Sequence, residues 1–441
     1  MRGGSGVEVG KAADAQAGAP ALGPLKASAW TPLAVPVFRA VWIASLASNI
    51  GIWLGNVGMA WLMTELRPTP VMVTLVQAAT SLPVFLFALP AGAVGDLVDR
   101  RGLLMLLQIV SALVSVTLGV STALGLTTPA IILVAAFLFG TTLAFGMPVF
   151  QAIVPDLVPR RELAPAVALN SIGINVARVI GPALGGAMIL YWRAAAPFMA
   201  NTVFYAVVIV LLYRCLPPLP AAHRDGGRMV GAVLDGIRHT LGSAAMRATL
   251  IRSGGYAFFA SLYFSLLPLI ARDQVHGGAD IYGLLLGCLG IGGIVSVILL
   301  PRWRLRWSPD GIARAGSLAS AVLLVGVALV HSVWFAVPVL LVAGLAWVAQ
   351  VATVNVAAQS ALPGWVRARG LSIFMIVFNG MMALGSALWG LVASAVGISW
   401  AFALSGLGLL LFELATIRCR IPHDDPVAVA LGRAGGAVSR S

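Results

Sequence analysis

The residue types and spacings that could do chemistry gather first at Gly92-Ala93-Val94-Gly95-Asp96-Leu97-Val98-Asp99-Arg100-Arg101. A carboxylate just ahead of a guanidinium pair can accept charge-assisted hydrogen bonds, and it can face the positive N-terminal end of a neighbouring helix. Contacts of this kind can be made in one conformation and broken in another, so the chemistry is that of a latch rather than of bond cleavage. A turn carrying ordinary loop charge is the plainer alternative. A second constellation is Arg178 followed by Gly181-Pro182-Ala183-Leu184-Gly185-Gly186. Small residues at this spacing let two helices approach closely, while Pro bends a helix and frees a carbonyl. Generic helix packing would use the same glycines.

Sets that would do covalent or metal chemistry are missing from the sequence. The two lysines, Lys11 and Lys26, complete no Gly-x4-Gly-Lys-Ser/Thr, so ATP is not expected as a direct fuel. No His-Glu-x-x-His occurs, and His223, His239, His276, His331 and His423 fall in loops, tails or at the ends of apolar segments. Cys215, Cys288 and Cys419 have no C-x-x-C pairing and read as small apolar packing residues. No enzyme, no metal site and no cofactor is expected.

The elements that must position these residues follow from composition. Of 441 residues 60% are hydrophobic and 10% charged, and mean hydropathy is +0.97. A soluble domain is about 45 to 50% apolar and about 25% charged, so this surface suits hydrocarbon as solvent. A membrane span needs about 20 mainly apolar residues. Twelve such segments occur, at 38–64, 71–93, 102–125, 129–153, 166–191, 194–216, 248–272, 279–300, 312–330, 333–358, 369–393 and 398–417. The reading is therefore an all-α membrane protein, with the lipid bilayer as its environment.

Charge orients the threading, because Lys and Arg collect in cytoplasmic loops. With the N-terminus inside, 24 of the 28 Lys and Arg lie on the inner side, Arg252 being counted there with the loop after span 6. Arg67, Arg193 and Arg272 lie outside, and Arg178 lies within span 5. Both termini are expected to be cytoplasmic. The net charge of +13 is spread over the inner loops, which makes it topogenic and gives no reason to expect nucleic acid as a partner.

The organisation reads as a flexible tail (1–37, with no cleavable signal evident), a six-span half (38–216), a linker (217–247), a second six-span half (248–417) and a tail (418–441). Met229, Val230, Val233, Leu234, Ile237 and Leu241 recur at helical spacing in the linker, as in an amphipathic helix on the membrane surface. An internal repeat supports duplicated halves. Gln151, Pro155, Val158 and Arg161 recur 208 positions on as Gln359, Pro363, Val366 and Arg369. Asn175, Gly181 and Gly186 recur 204 positions on as Asn379, Gly385 and Gly390.

The loop at 92–101 resembles the signature of the major facilitator superfamily between its second and third spans, with Gly92, Val94, Gly95, Asp96, Arg100 and Arg101 fitting and Leu97 departing. A second register through Gly95, Leu97 and Asp99 fits only its first half. The Gly181 to Gly186 run resembles the antiporter motif of drug exporters in that superfamily, with Ala168 and Ala177 standing where further glycines are usual. Pro155 to Leu163, Ala166 to Asn170 and Asn175 to Pro182 resemble the branch of enterobactin-type siderophore exporters and macrolide efflux proteins, the transmembrane secretion effectors.

The resemblance implies the superfamily's fold of two six-helix halves and a multi-pass, monomeric protein of a bacterial inner membrane. It implies an inner-gate latch at Gly92, Gly95, Asp96, Asp99, Arg100 and Arg101. It also implies export of a small siderophore-like or drug-like molecule, coupled by antiport to the proton gradient. Uptake on the same fold is the alternative, and a proton-carrying residue is not evident, Asp96, Glu65 and Asp273 being the weak choices. Spans 1, 4, 7 and 10 line the cavity in the superfamily, so Ser48, Asn49, Thr142, Tyr256, Tyr263, Trp347, Gln350 and Asn355 are the expected contacts.

Arg178 needs a reason of its own, since a mid-span Arg costs about 2.5 to 3.5 kcal/mol on insertion scales. No Asp or Glu lies mid-span, so an ion pair at depth is not expected. Two readings stay open: donation to Gln350, Asn175 or carbonyls around Pro182, or contact with an anionic or carbonyl-rich substrate.

Overall fold

A computed structural model describes residues 30–159, 162–216, 238 and 240–421. Among these, twelve helices are long and apolar enough to cross a membrane. They are α1 (Pro36–Leu66), α2 (Pro70–Leu97), α3 (Arg100–Ala123), α4 (Pro129–Leu157), α5 (Leu163–Trp192) and α6 (Ala196–Cys215). The second six are α7 (Ala244–Gln274), α8 (Ala279–Arg304), α9 (Pro309–Ala328), α10 (Val333–Ser360), α11 (Gly364–Val396) and α12 (Ile398–Ala415). Each contains one of the twelve expected segments or overlaps most of it. The amphipathic stretch expected in 217–247 falls almost wholly outside the described residues, as does most of each tail.

Local chemistry sets the helix starts. Proline occupies the first turn of α1, α2, α4 and α9, where its missing N–H is not needed. Ser243 and Ser308 cap α7 and α9 through their side-chain oxygens. Span 7 departs from the expected unbroken segment: it begins at Ala244 and is interrupted at Ser261, after which short turns lead into a wide π-type turn over Ile270–Gln274. Two causes are visible. Pro268 offers no N–H to the carbonyl four residues earlier, and the Ser261 hydroxyl donates to the Phe258 carbonyl at 2.8 Å.

Even helix number puts the start of α1 and the end of α12 on one face, called here the terminal face, and the opposite side the far face. Within the first half α1 packs on α5 and α6, α2 on α4, and α3 on α4 and α6. The second half repeats this: α7 packs on α11, α8 on α10, and α9 on α10 and α12. The halves meet along two seams, α2 with α11 and α5 with α8. The repeated glycines sit at equivalent contacts. Gly181 lies against Trp53 of α1 and Gly385 against Phe258 of α7, whereas Gly186 meets Ala279 of α8 and Gly390 meets Thr74 of α2.

Large apolar side chains stand exposed around the bundle, such as Leu113 (61%), Val203 (63%) and Val322 (70%), which is stable only against lipid. Exposed aromatics mark the two borders of that band: Tyr191, Trp192, Trp334 and Trp400 at the far face, Trp30, Tyr213 and Trp307 at the terminal face.

Candidate functional site

At the far face the halves are joined. One buried apolar cluster includes residues of both, among them Trp61, Met63, Tyr282 and Leu266. Trp61 stacks on Tyr282 with ring centroids 6.2 Å apart, and Arg272 Nη1 donates to the Thr64 carbonyl, tying the far end of α7 to that of α1. Arg272, expected as loop charge, thus serves as a strap, with Asp273 3.8 Å from its Nε. Toward the terminal face, among the described residues, each buried cluster is confined to one half.

Two contiguous cavities of about 220 Å³ each lie behind this closure. The first is enclosed by α1 to α6. It runs from Leu104 and Phe150, one to two turns inside the terminal face, to Asn56 and Thr80 at mid-depth. Ser48, Asn49 and Thr142 line it, as the sequence anticipated. Its wall is cross-linked: Asn49 donates to the Ser45 carbonyl at 2.8 Å, Ser45 to Asn170 at 3.3 Å, and Ser111 to Thr142 at 3.2 Å. Asn56, Thr80 and Leu143 also line the second cavity, which lies at mid-depth between the halves. There Trp53, Gln77, Ser81 and Arg178 of the first half face Phe264, Trp347, Asn379 and Met382 of the second.

Arg178 lines this second cavity. None of the expected intramolecular acceptors, Gln350, Asn175 or the carbonyls around Pro182, holds it: Asn175 donates to the Ser171 carbonyl at 2.8 Å, and both amide atoms of Gln350 are buried without a hydrogen bond. Among the described residues the guanidinium has no ion pair or hydrogen bond to another side chain or carbonyl. Gly293 of α8 lies beside it, the place of a Cβ there being 3.9 Å from Nη1 and 2.8 Å from Val348 Cγ2.

Four expected cavity contacts are placed differently. Tyr256 and Tyr263 are fully buried in the second half, bonded to the Ser320 hydroxyl and carbonyl of α9 at 2.9 Å each, so they brace α7 on either side of its interruption. Tyr256 still touches the cavity wall indirectly, its ring 5.4 Å from that of Trp347. Gln350 is 1% exposed and packs on Gly316 of α9. Asn355 accepts from Gln359 toward the terminal end of α10. Conversely Asn56, Gln77, Ser81, Gln108 and Tyr205 line the cavities without having been anticipated. Asn56 carried a signal, since Ser45, Ser48, Asn49, Ile52 and Asn56 fall on one helical face.

Of the latch residues, Gly92, Gly95 and Asp96 belong to the last turns of α2, where side chains lie outside the description. Asp99 caps α3, accepting from the backbone N–H of Gly102 at 2.8 Å and of Arg101 at 3.3 Å. Arg101 donates to the Tyr213 carbonyl at 2.7 Å and lies over its ring, bonding α3 to the carbonyl end of α6. In the antiporter-like motif, Gly181 and Gly185 face α1, and a Cβ on Gly186 would fall 2.5 Å from the Ala279 carbonyl oxygen.

An ion cluster lies where none was expected. Arg252, counted from the sequence with loop charge, is fully buried in α7. Its Nη1 bonds Asp310 of α9 at 2.6 Å and its Nη2 bonds Glu413 of α12 at 3.2 Å, while Arg314 approaches Asp310 at 2.9 Å. Asp310 also accepts from the Ile421 backbone N–H at 3.1 Å, fastening the chain beyond α12.

A family model described as transmembrane secretion effector matches residues 27–432. The staphyloferrin A transporter of Staphylococcus aureus (strain NCTC 8325 / PS 47) is 27% identical over 369 residues, spanning 82% of this chain and 90% of that protein. The multidrug efflux pump Tap of Mycolicibacterium fortuitum is 22% identical over 395 residues, spanning 85% and 93%. Among solved structures, a mutant of the nucleoside transporter NupG aligns with TM-score 0.71 at 13% identity, covering 87% of this chain and 99% of its own. A bacterial homolog of the human lysosomal transporter Spinster aligns with TM-score 0.65 at 15% identity, covering 87% and 98%. These two establish likeness of fold.

Proposed function

The chain belongs to the transmembrane secretion effector family of the major facilitator superfamily, a multi-pass transporter of small molecules, and from that premise we propose that it exports an organic molecule by alternating access. The substrate is siderophore-like or drug-like, the membrane is the bacterial inner membrane, and the opposing flux is protons. The observation that carries this reading is the mid-depth cavity between the halves, closed at the far face by the Arg272 strap and the Trp61–Tyr282 stack and continuous with a cavity leading toward the terminal face. The preponderance of Lys and Arg at the terminal face supports its being cytoplasmic, so a substrate would load from inside. The glycines of α5 that support the outward direction are those set against α1 and α8.

In this mechanism the halves rock about the cavity, as parallel-repeat transporters do. The α2–α11 and α5–α8 seams are the surfaces that slide, and the Asp96, Arg100 and Arg101 loop latches the terminal face once the far face opens. The test is flux in inverted and right-side-out vesicles under an imposed pH gradient, with siderophores and macrolides as substrates. Gradient-dependent accumulation in inverted vesicles is expected, and Asp96→Asn is expected to abolish it. Accumulation confined to right-side-out vesicles would establish uptake instead.

A further inference from the structure

The geometry points to Arg178 as the recognition point for an organic anion, a carboxylate carried on an aromatic or apolar body. The inference rests on the reading that the mid-depth cavity holds the transported molecule. Of the described side chains lining the two cavities, Arg178 alone is charged, and no carboxylate is among them. Four acids at or near the ends of the spans are engaged elsewhere. Asp310 and Glu413 hold Arg252, Glu65 accepts from the Trp61 indole at 2.6 Å, and Asp273 lies beside Arg272.

An uncompensated guanidinium facing a cavity walled partly by Leu286, Leu289, Val348 and Met382 is screened less than it would be in bulk water. Its attraction for an anion and its repulsion of a cation are both far stronger there than in water. The planar fork matches a carboxylate with two parallel hydrogen bonds, which a lysine cannot reproduce. Trp53, Phe264 and Trp347 supply flat apolar walls for the body of the ligand. Lipophilic cations, by the same charge argument, are excluded from this site.

Binding to the purified native protein distinguishes the possibilities, with citrate, phthalate, dimethyl phthalate and tetraphenylphosphonium as probes and tryptophan fluorescence with calorimetry as readouts. Phthalate is expected to bind saturably and more tightly than citrate, which has no apolar body, and tetraphenylphosphonium is not expected to bind. Arg178→Gln is expected to weaken the carboxylate about ten- to a hundredfold, as loss of hydrogen bonds to a charged group should. Arg178→Lys keeps the charge and should retain part of the affinity, and Arg67→Gln, the same charge change at an exposed position at the far end of α1, should leave it unaltered. The ester comparison needs no variant: phthalate should outbind its neutral dimethyl ester by a similar factor. Equal binding of acid and ester, no effect of Arg178→Gln, no carboxylate binding, or tighter binding of the phosphonium would each overturn the assignment. Binding has no direction, so an importer would leave this result standing, while export without carboxylate binding would remove the anion site and leave the direction intact.

Discussion

Arg252→Met is expected to destabilise the protein by about 3 to 5 kcal/mol, the usual cost of removing one partner from a buried ion pair. Arg252 is fully buried, and its side chain is the cation shared by Asp310 and Glu413. Its loss strands the Glu413 carboxylate, which is itself nearly buried and has one oxygen already without a partner. Arg314 remains to neutralise Asp310 at 2.9 Å, so the damage centres on Glu413. The double change Arg252→Met with Glu413→Gln should therefore recover much of the loss. Thermal unfolding followed by intrinsic fluorescence in detergent measures both. A single variant as stable as the native protein would mean that the cluster contributes nothing to holding α7, α9 and α12 together.

Gly186→Val is expected to abolish most transport by a different route. The far-face seam needs α5 and α8 to approach until a Cβ at position 186 would fall 2.5 Å from the Ala279 carbonyl and 3.1 Å from the Gly283 Cα. Both neighbours are backbone and cannot rotate away, so the valine must part the helices. Overpacking of this kind typically costs about 1 to 3 kcal/mol. That cost applies only where the far face is closed, so the equilibrium between the closed and open arrangements shifts by about 5- to 150-fold toward opening. Reactivity of a cysteine at Trp61 or Tyr282 toward an impermeant maleimide should rise accordingly. Unchanged reactivity with unchanged transport would show that the α5–α8 approach is not a moving contact.

Much of this is legible in the sequence. The twelve spans follow from apolar runs of membrane-spanning length, and the offset of 204 that links Gly181 and Gly186 to Gly385 and Gly390 marks the positions where α5 and α11 meet equivalent neighbours. Arg178 stood out because a guanidinium at mid-span has few ways to be satisfied. The Arg252 cluster was not legible. A charge two turns inside a helix reads like loop charge, and its partners lie 58 and 161 residues away, brought together only by packing. Tyr256 and Tyr263 had the side chains expected of a cavity wall, but Ser320 on α9 draws both hydroxyls into the second half. Restriction to four spans concealed Gln77, Ser81 and Asn379, which reach the cavity from α2 and α11 because these helices form the seam beside it.

The most direct test of the account is the sidedness of Asn56, which lines both cavities. Asn56→Cys would be placed in a variant whose three native cysteines are replaced, and labelled with an impermeant maleimide in inverted and right-side-out vesicles. Alternating access predicts rapid labelling from the terminal face at rest, and labelling from the far face once a transported molecule and an opposing pH gradient are supplied. Labelling from the same single face under every condition would contradict it, because a cavity that never changes sides cannot carry anything across.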